Sequence, residues 1–417
     1  MRCWALVLIL LSTAVAQKQP APNPESKSVT VPITVNHYRV IVDVDVPLPD
    51  GSTKRVHCWV NNGNPDLFLS PRLAKMMGLT LICSGQVCST STPLPEILIG
   101  GMKVPLSTVK PSVQQNPENT IAIAFPGMSA EISIPSTILR NYDVFINFPG
   151  RELTLALPGT INFKGQKTKA IVNSENGLIE IPSQIENKKY NLALDFGSPT
   201  SFLTEELFDK LTSAHPGWPR MTGAVGPANV WGLDDERKQK LMRIDRIQFG
   251  PLFLTNVPVG DFPKDWTSFL QKRAGVSTSG LVGADVLANY RVGLDYAHSV
   301  VYFDIGRLFN FPEFDVIGLI LRPEDDGRFT ILGIADYDGK PSVTEVQMGD
   351  HLVAVDGIPV LGSTMGQVWL MLGGEPGKER RLTVEREGRQ FTVIAKVQHF
   401  LGEDTDDNKA KGNTKRH

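Results

Sequence analysis

Residues 191–203 read NLALDFGSPTSFL: an apolar strand runs into Asp195-Phe196-Gly197-Ser198 and then into residues that open a helix. A carboxylate at a strand end, followed by a glycine able to make a tight turn, is well placed for chemistry, because the strand fixes the acid while the turn presents it. The pattern occurs twice. Residues 60–77, VNNGNPDLFLSPRLAKMM, overlay 194–211, LDFGSPTSFLTEELFDKL, at a constant offset of 134, with matches at Gly63/Gly197, Pro65/Pro199, Phe68/Phe202, Leu69/Leu203 and Leu73/Leu207. In each copy a strand meets a glycine turn, then two apolar residues and a short helix capped by Ser70 or Thr204. The position that answers to Asp195 is Asn61.

A second matched pair follows: ILRNYDVFINFPGRELTL at 138–155 and VLANYRVGLDYAHSVVYF at 286–303, offset 148, with Leu139/Leu287, Asn141/Asn289, Tyr142/Tyr290 and Val144/Val292 in common. Two matched blocks in one order, at nearly one offset, point to duplication of a β-rich unit of 130 to 140 residues. Short runs such as HYRVIVDVDV, VHCWV, YNLALD and SVVYF, punctuated by Gly, Pro and Asn, make the class mostly β.

These residues resemble the aspartic peptidases of the pepsin and retropepsin group, over roughly residues 30–310. Each of two lobes in that family supplies an Asp-Thr-Gly or Asp-Ser-Gly turn, later braced by two apolar residues and a glycine. Asp195 to Ser198 resemble the turn, and Leu281-Val282-Gly283 resemble the brace. The resemblance implies two carboxylates sharing one proton around a water. Here it implies Asp195 as the surviving acid, Asn61 as its altered partner, Gly63 and Gly197 as the turn glycines, and Ser198 as a hydrogen-bonding group beside Asp195. Asn62 and Phe196 stand where the family has the hydroxyls that cross-brace the lobes, so that bracing is expected to be missing. Pro135 replaces the first-half bracing glycine, and no Tyr lies between Tyr38 and Tyr142 to serve a flap. The stretch TGAVGPANVWG, 222–232, is a second-half flap candidate, its Trp231 either covering a bound peptide or packing a surface loop.

From residue 314 the rhythm changes. Gly349-Asp350-His351-Leu352-Val353-Ala354-Val355-Asp356-Gly357 resembles the signature of PDZ domains, with Ile317 to Leu321 where that family holds a peptide carboxylate and Ser363 to Leu372 as a helix. The resemblance implies β-augmentation by a protein C-terminus along Gly318, Leu319 and Ile320. The Met365 and Val368 face fits groove lining and core burial equally well.

The chain has 417 residues, 41% hydrophobic and 21% charged, with net charge −2, so no field of one sign points to nucleic acid. Its start, MRCWALVLILLSTAVAQ, has a basic residue, an apolar run and Ala14-Val15-Ala16, a signal-peptide pattern shorter than the ~20 residues of a membrane span. Export to a periplasmic or extracellular compartment is expected, with no membrane span after signal removal. Cys83 and Cys88 are then placed to close a small disulfide, and Cys58 is read as a buried thiol. No Cys/His cluster has metal-ligand spacing, and no cofactor is expected.

The expected organisation is a signal peptide at 1–16, a flexible leader at 17–28, β-rich lobes at 29–160 and 161–310, a PDZ-like domain at 311–400 and a disordered tail at 401–417. Two functions follow: an aspartic-type peptidase that binds and hydrolyses polypeptide in an interlobe cleft, or a pseudo-peptidase that binds peptide or serves as an adaptor without cutting.

Overall fold

The structure, a computed structural model, describes residues 26–84, 87–107, 111–114, 130–262, 278–305, 313–337 and 339–402. The signal-peptide expectation therefore lies outside the described residues, as do all but the last positions of the leader and all but the first two of the tail. The chain is mostly β, 51% strand against 12% helix, as its short alternating runs dictate. No helix among the described residues is long and apolar enough to cross a membrane.

The two matched stretches build the same strand pairing. In the first, Leu67–Leu69 lies between the parallel strand Pro111–Gln114 and the antiparallel strand Ala130–Pro135, which in turn runs parallel to Thr53–Asn61. In the second, Phe202–Thr204 lies between the parallel strand Leu252–Phe262 and the antiparallel strand Gly280–Val282, which runs parallel to Lys188–Leu194. The helices after these strands begin where the side chains of Ser70 and Thr204 accept the N–H of Leu73 and Leu207.

The second sequence match forms the join. Strand Asp143–Asn147 pairs antiparallel with Tyr290–Asp295, registering Asp143 with Asp295 and Phe145 with Gly293. The sheet so formed has six strands, including Ser28–Pro32 at one edge and Gln166–Lys169 at the other. Ser28 thus belongs to a strand, where a leader was expected. One apolar core runs from Val31 to Phe303 through both matched stretches. Burying this many Val, Ile and Leu side chains, each worth roughly 1.5–3 kcal/mol, is what holds the halves as one body.

A second core lies under the sheet made of Leu319–Pro323, Phe329–Ile334, His351–Val355, Glu379–Arg386 and Arg389–Lys396. The Gly-Asp signature has a structural role here. Asp350 is buried, accepts the N–H of Gln347 at 2.8 Å and pairs with Arg386 at 2.7 and 2.8 Å. Asp356 and Gly357 both have positive φ, 51° and 80°, as a two-residue hairpin turn requires. Helix Met365–Leu372 starts at a capping box made by Thr364 and Gln367. Met365 and Val368 are both buried, in one cluster with Ala224, Val225 and Ala228.

This second core crosses the expected boundary at 311. Ala224, Val225, Ala228 and Leu241 belong to it. At the other end Leu401, assigned to the tail, is buried, and its C=O accepts from Arg243 Nε at 2.9 Å.

Candidate functional site

Two turns face each other where strands Thr53–Asn61 and Lys188–Leu194 end. Each is tied to the strand running parallel to it: Pro135 is in register with Asn61, and Asp195 N–H donates to Val282 C=O at 3.1 Å. Beyond each brace the same bond recurs, from Ser136 N–H to Asn64 C=O at 3.0 Å and from Ala284 N–H to Ser198 C=O at 2.8 Å. Pro135 replaces Gly283 in sequence, yet the anchoring bond persists. Gly283 is required where it stands, because a Cβ there would lie 2.4 Å from Thr200 O.

Asn61 and Asp195 are brought together. A Cβ on Gly63 would lie 2.0 Å from Asp195 Cγ, and a Cβ on Gly197 would lie 2.2 Å from Asn61 Oδ1. Each of these side chains is therefore seated on the glycine of the opposite turn, and a Cβ on either glycine would displace the side chain facing it. Gly63 N–H donates to Asn61 Oδ1 at 3.2 Å, which leaves the amide Nδ2 as the donor of that side chain.

The expected loss of cross-bracing needs correction. The hydroxyls are absent, but Asn62 does their work with an amide. Its Nδ2 donates to Leu194 C=O at 2.7 Å and its Oδ1 accepts from Phe196 N–H at 2.9 Å, so one side chain grips the backbone on both sides of Asp195. Asn62 is fully buried, as is Phe196, which points into the core and offers nothing in return. The brace is one-sided.

Asp195 is partly exposed and accepts the N–H groups of Gly197 and Ser198 at 2.8 and 3.0 Å. Burial pushes its carboxyl up to about 6, while the N–H groups of Gly197, Ser198 and Gly63 and the charge of Arg39 pull it down. Ser198 contributes its backbone rather than its hydroxyl, which donates to Thr200 C=O at 2.8 Å. Behind the turn, Asp285 accepts from Ser201 N–H and Oγ at 3.1 and 2.8 Å and fixes the segment that follows. Burial raises its carboxyl to about 7.

Sequence reading missed Arg39. It is fully buried, donates through Nη2 to Val230 C=O at 2.5 Å and lies 5.0 Å from the ring centre of Trp231. Burial lowers its guanidinium to about 9, opposed by Glu236 and Asp195, so it stays charged at neutral pH. Trp231 bridges two apolar clusters: Ile41, Trp59 and Ala130 on one side, Phe202, Val230 and Leu281 on the other. Glu236 holds this loop in shape, accepting Val230 N–H, Trp231 N–H, Gly232 N–H and Asn229 Nδ2 at 2.6 to 2.9 Å. Burial nevertheless raises Glu236 to about 7.

The expected peptide-carboxylate site is not open. Gly318, Leu319 and Ile320 are buried. Leu319 N–H already donates to Ile317 C=O at 2.8 Å, and a Cβ on Gly318 would lie 2.1 Å from Ser342 Oγ. Cys83 and Cys88 are bonded to each other across a hairpin, and Cys58 is a buried free thiol. Among the described residues no group of His, Cys, Asp and Glu is arranged to hold a metal ion. Neither protein-family models nor curated proteins give a match to this chain.

Proposed function

We propose that this chain is an exported, aspartic-peptidase-like protein with two β-rich lobes and a PDZ-like module, taking extended polypeptide between the lobes with Asp195 as its one acid. What carries the reading is the reciprocal seating of Asp195 over Gly63 and Asn61 over Gly197. Two strand-end turns packed this closely bring one carboxylate and one amide to a common point, as a shared site requires.

The chemistry of such a pair is limited by what an amide does. Above about pH 6 Asp195 is ionised and can take a proton from a water as that water adds to a peptide carbonyl. Asn61 Nδ2 can donate to the oxygen that gains charge, and Asp195 can return its proton to the departing nitrogen as the C–N bond breaks. The amide cannot exchange a proton, so this centre lacks half of the push–pull that two acids supply, and turnover is slower by orders of magnitude. Binding is the dominant property and hydrolysis the slow one.

The pseudo-peptidase reading is favoured by one observation: Trp231 packs against both apolar clusters and Arg39, filling space between the two halves. A peptide-library cleavage assay from acid to neutral pH separates the two. Slow cleavage by the wild type that disappears in Asp195→Asn and rises in Asn61→Asp supports the enzyme. Silence of the wild type and Asp195→Asn alike, with activity gained only in Asn61→Asp, supports the pseudo-peptidase.

A further inference from the structure

The segment that packs Trp231 between the clusters around Trp59 and Phe202 also lies along an edge strand of the C-terminal sheet. Strand Leu319–Pro323 is an edge strand of its sheet, and an unpaired edge is where an added strand docks. That edge is taken in cis. Leu321 N–H donates to Asn229 Oδ1 at 2.9 Å and Leu321 C=O accepts from Asn229 Nδ2 at 3.0 Å, the two bonds an incoming strand would make. Flanking residues complete the fit. Ala224, Val225 and Ala228 share a core with Ile320, Met365 and Val368, and a Cβ on Gly232 would lie 2.8 Å from Arg322 Cα.

The other face of the same residues belongs to the cleft. Val230 and Trp231 pack between the lobes, Arg39 binds Val230 C=O, and His37 Nε2 binds Asn229 C=O at 3.0 Å. The hairpin carrying His37 also reaches the module directly, with Asn36 Nδ2 donating to Thr364 Oγ1 at 2.6 Å. The Asn229 side chain faces the module, while Val230 and Trp231 face Arg39 and the clusters around Trp59 and Phe202.

We infer that residues 223–232 form a cis strap whose release couples the two sites: an extended peptide that adds along Leu319–Pro323 displaces Asn229 from Leu321 and thereby draws Trp231 out of the cleft. The inference rests on the reading of the module and cleft as peptide sites. Its test reads exposure instead of turnover, so it stands or falls apart from any peptidase activity.

The experiment is residue-resolved hydrogen exchange on the full chain, using the heptapeptide GPANVWG, the sequence of residues 226–232, as the probe. Asn229→Ala and the milder Asn229→Ser remove the two bonds to Leu321 together with the Asn229 Nδ2 bond to Glu236, so the coupling is judged on the wild-type probe arm. Both are expected to speed exchange about tenfold at Leu321 and at 230–232 together, and to bind the probe about tenfold more tightly than wild type. Saturating probe on the wild type is expected to deprotect 230–232 and the Asp195 turn, an arm that needs no variant to fold. Faster exchange at Leu321 with 230–232 still protected would sink the coupling. So would probe binding to the wild type without deprotection of the cleft, or equal probe affinity in wild type and variants.

Discussion

Asn62 is the side chain on which the alignment of the two turns depends, and replacing it with alanine tests that directly. The substitution removes both bonds to the opposite strand and leaves Leu194 C=O and Phe196 N–H buried without those partners. A buried polar group left unpaired costs about 1–3 kcal/mol, so two place the loss at about 2–6 kcal/mol. Asn62→Thr should recover much of it, since a hydroxyl both donates and accepts. Asn62→Asp should do worse than Asn62→Thr, because a carboxylate can accept from Phe196 N–H but repels Leu194 C=O, and a fully buried charge has no counter-ion in that grip. The assay is thermal unfolding beside hydrogen exchange of the Phe196 amide, which reports the local bond even where global unfolding is not two-state. Unfolding of Asn62→Ala within about 0.5 kcal/mol of wild type, with Phe196 still protected, would refute the claim that this amide binds the halves at the site.

Three other outcomes follow from the same geometry. Any hydrolysis by the wild type should fall as pH drops through about 6, where Asp195 takes up its proton, whereas Asn61→Asp should give a bell-shaped profile at more acid pH; rate measurements on a single peptide decide it. Gly63→Ala and Gly197→Ala should each displace the facing side chain, since the new Cβ falls 2.0 Å from Asp195 Cγ or 2.2 Å from Asn61 Oδ1, and a changed Asp195 titration by NMR would register it. Burial raises Asp195 to about 6 and Glu236 and Asp285 to about 7, so between about pH 4 and 7 the folded chain binds more protons than the unfolded one. Their contribution to stability therefore falls as pH rises across that window, and Glu236→Gln or Asp285→Asn should flatten the dependence of the urea midpoint on pH. A midpoint slope unchanged in both variants would show that these carboxyls do not govern it.

The pairing of Asn61 with Asp195 was legible because both turns keep their glycines at one offset, and a glycine that admits no Cβ leaves a mark in any sequence. The repeated strand order followed from the same overlay. Asn62 was harder to read. A brace expected from a hydroxyl was carried by an amide, and residue identity alone does not say that an amide can span Leu194 and Phe196. Arg39 left no signal at all, since an arginine at the start of a strand is ordinarily solvated, and the Val230 and Trp231 that lie against it are far along the chain. The strap was read as flap or loop because its decisive partner, Leu321, lies 92 residues away. Local pattern encodes strands and turns; it does not encode which distant edge a glycine-rich stretch will fill.

The six-stranded sheet shared by the halves bears on assembly. Strand Asp143–Asn147 meets Tyr290–Asp295 antiparallel, with Phe145 opposite Gly293, its counterpart at the repeat offset of 148. An antiparallel pair between equivalent residues is a local two-fold axis. A fragment ending near residue 160 would expose that edge while keeping the register to pair with itself, so two copies would close about Phe145 into a symmetric dimer with Asn61 in each turn. The duplicated chain replaces that symmetry with a covalent link, and the link is what lets one turn carry an acid while the other does not.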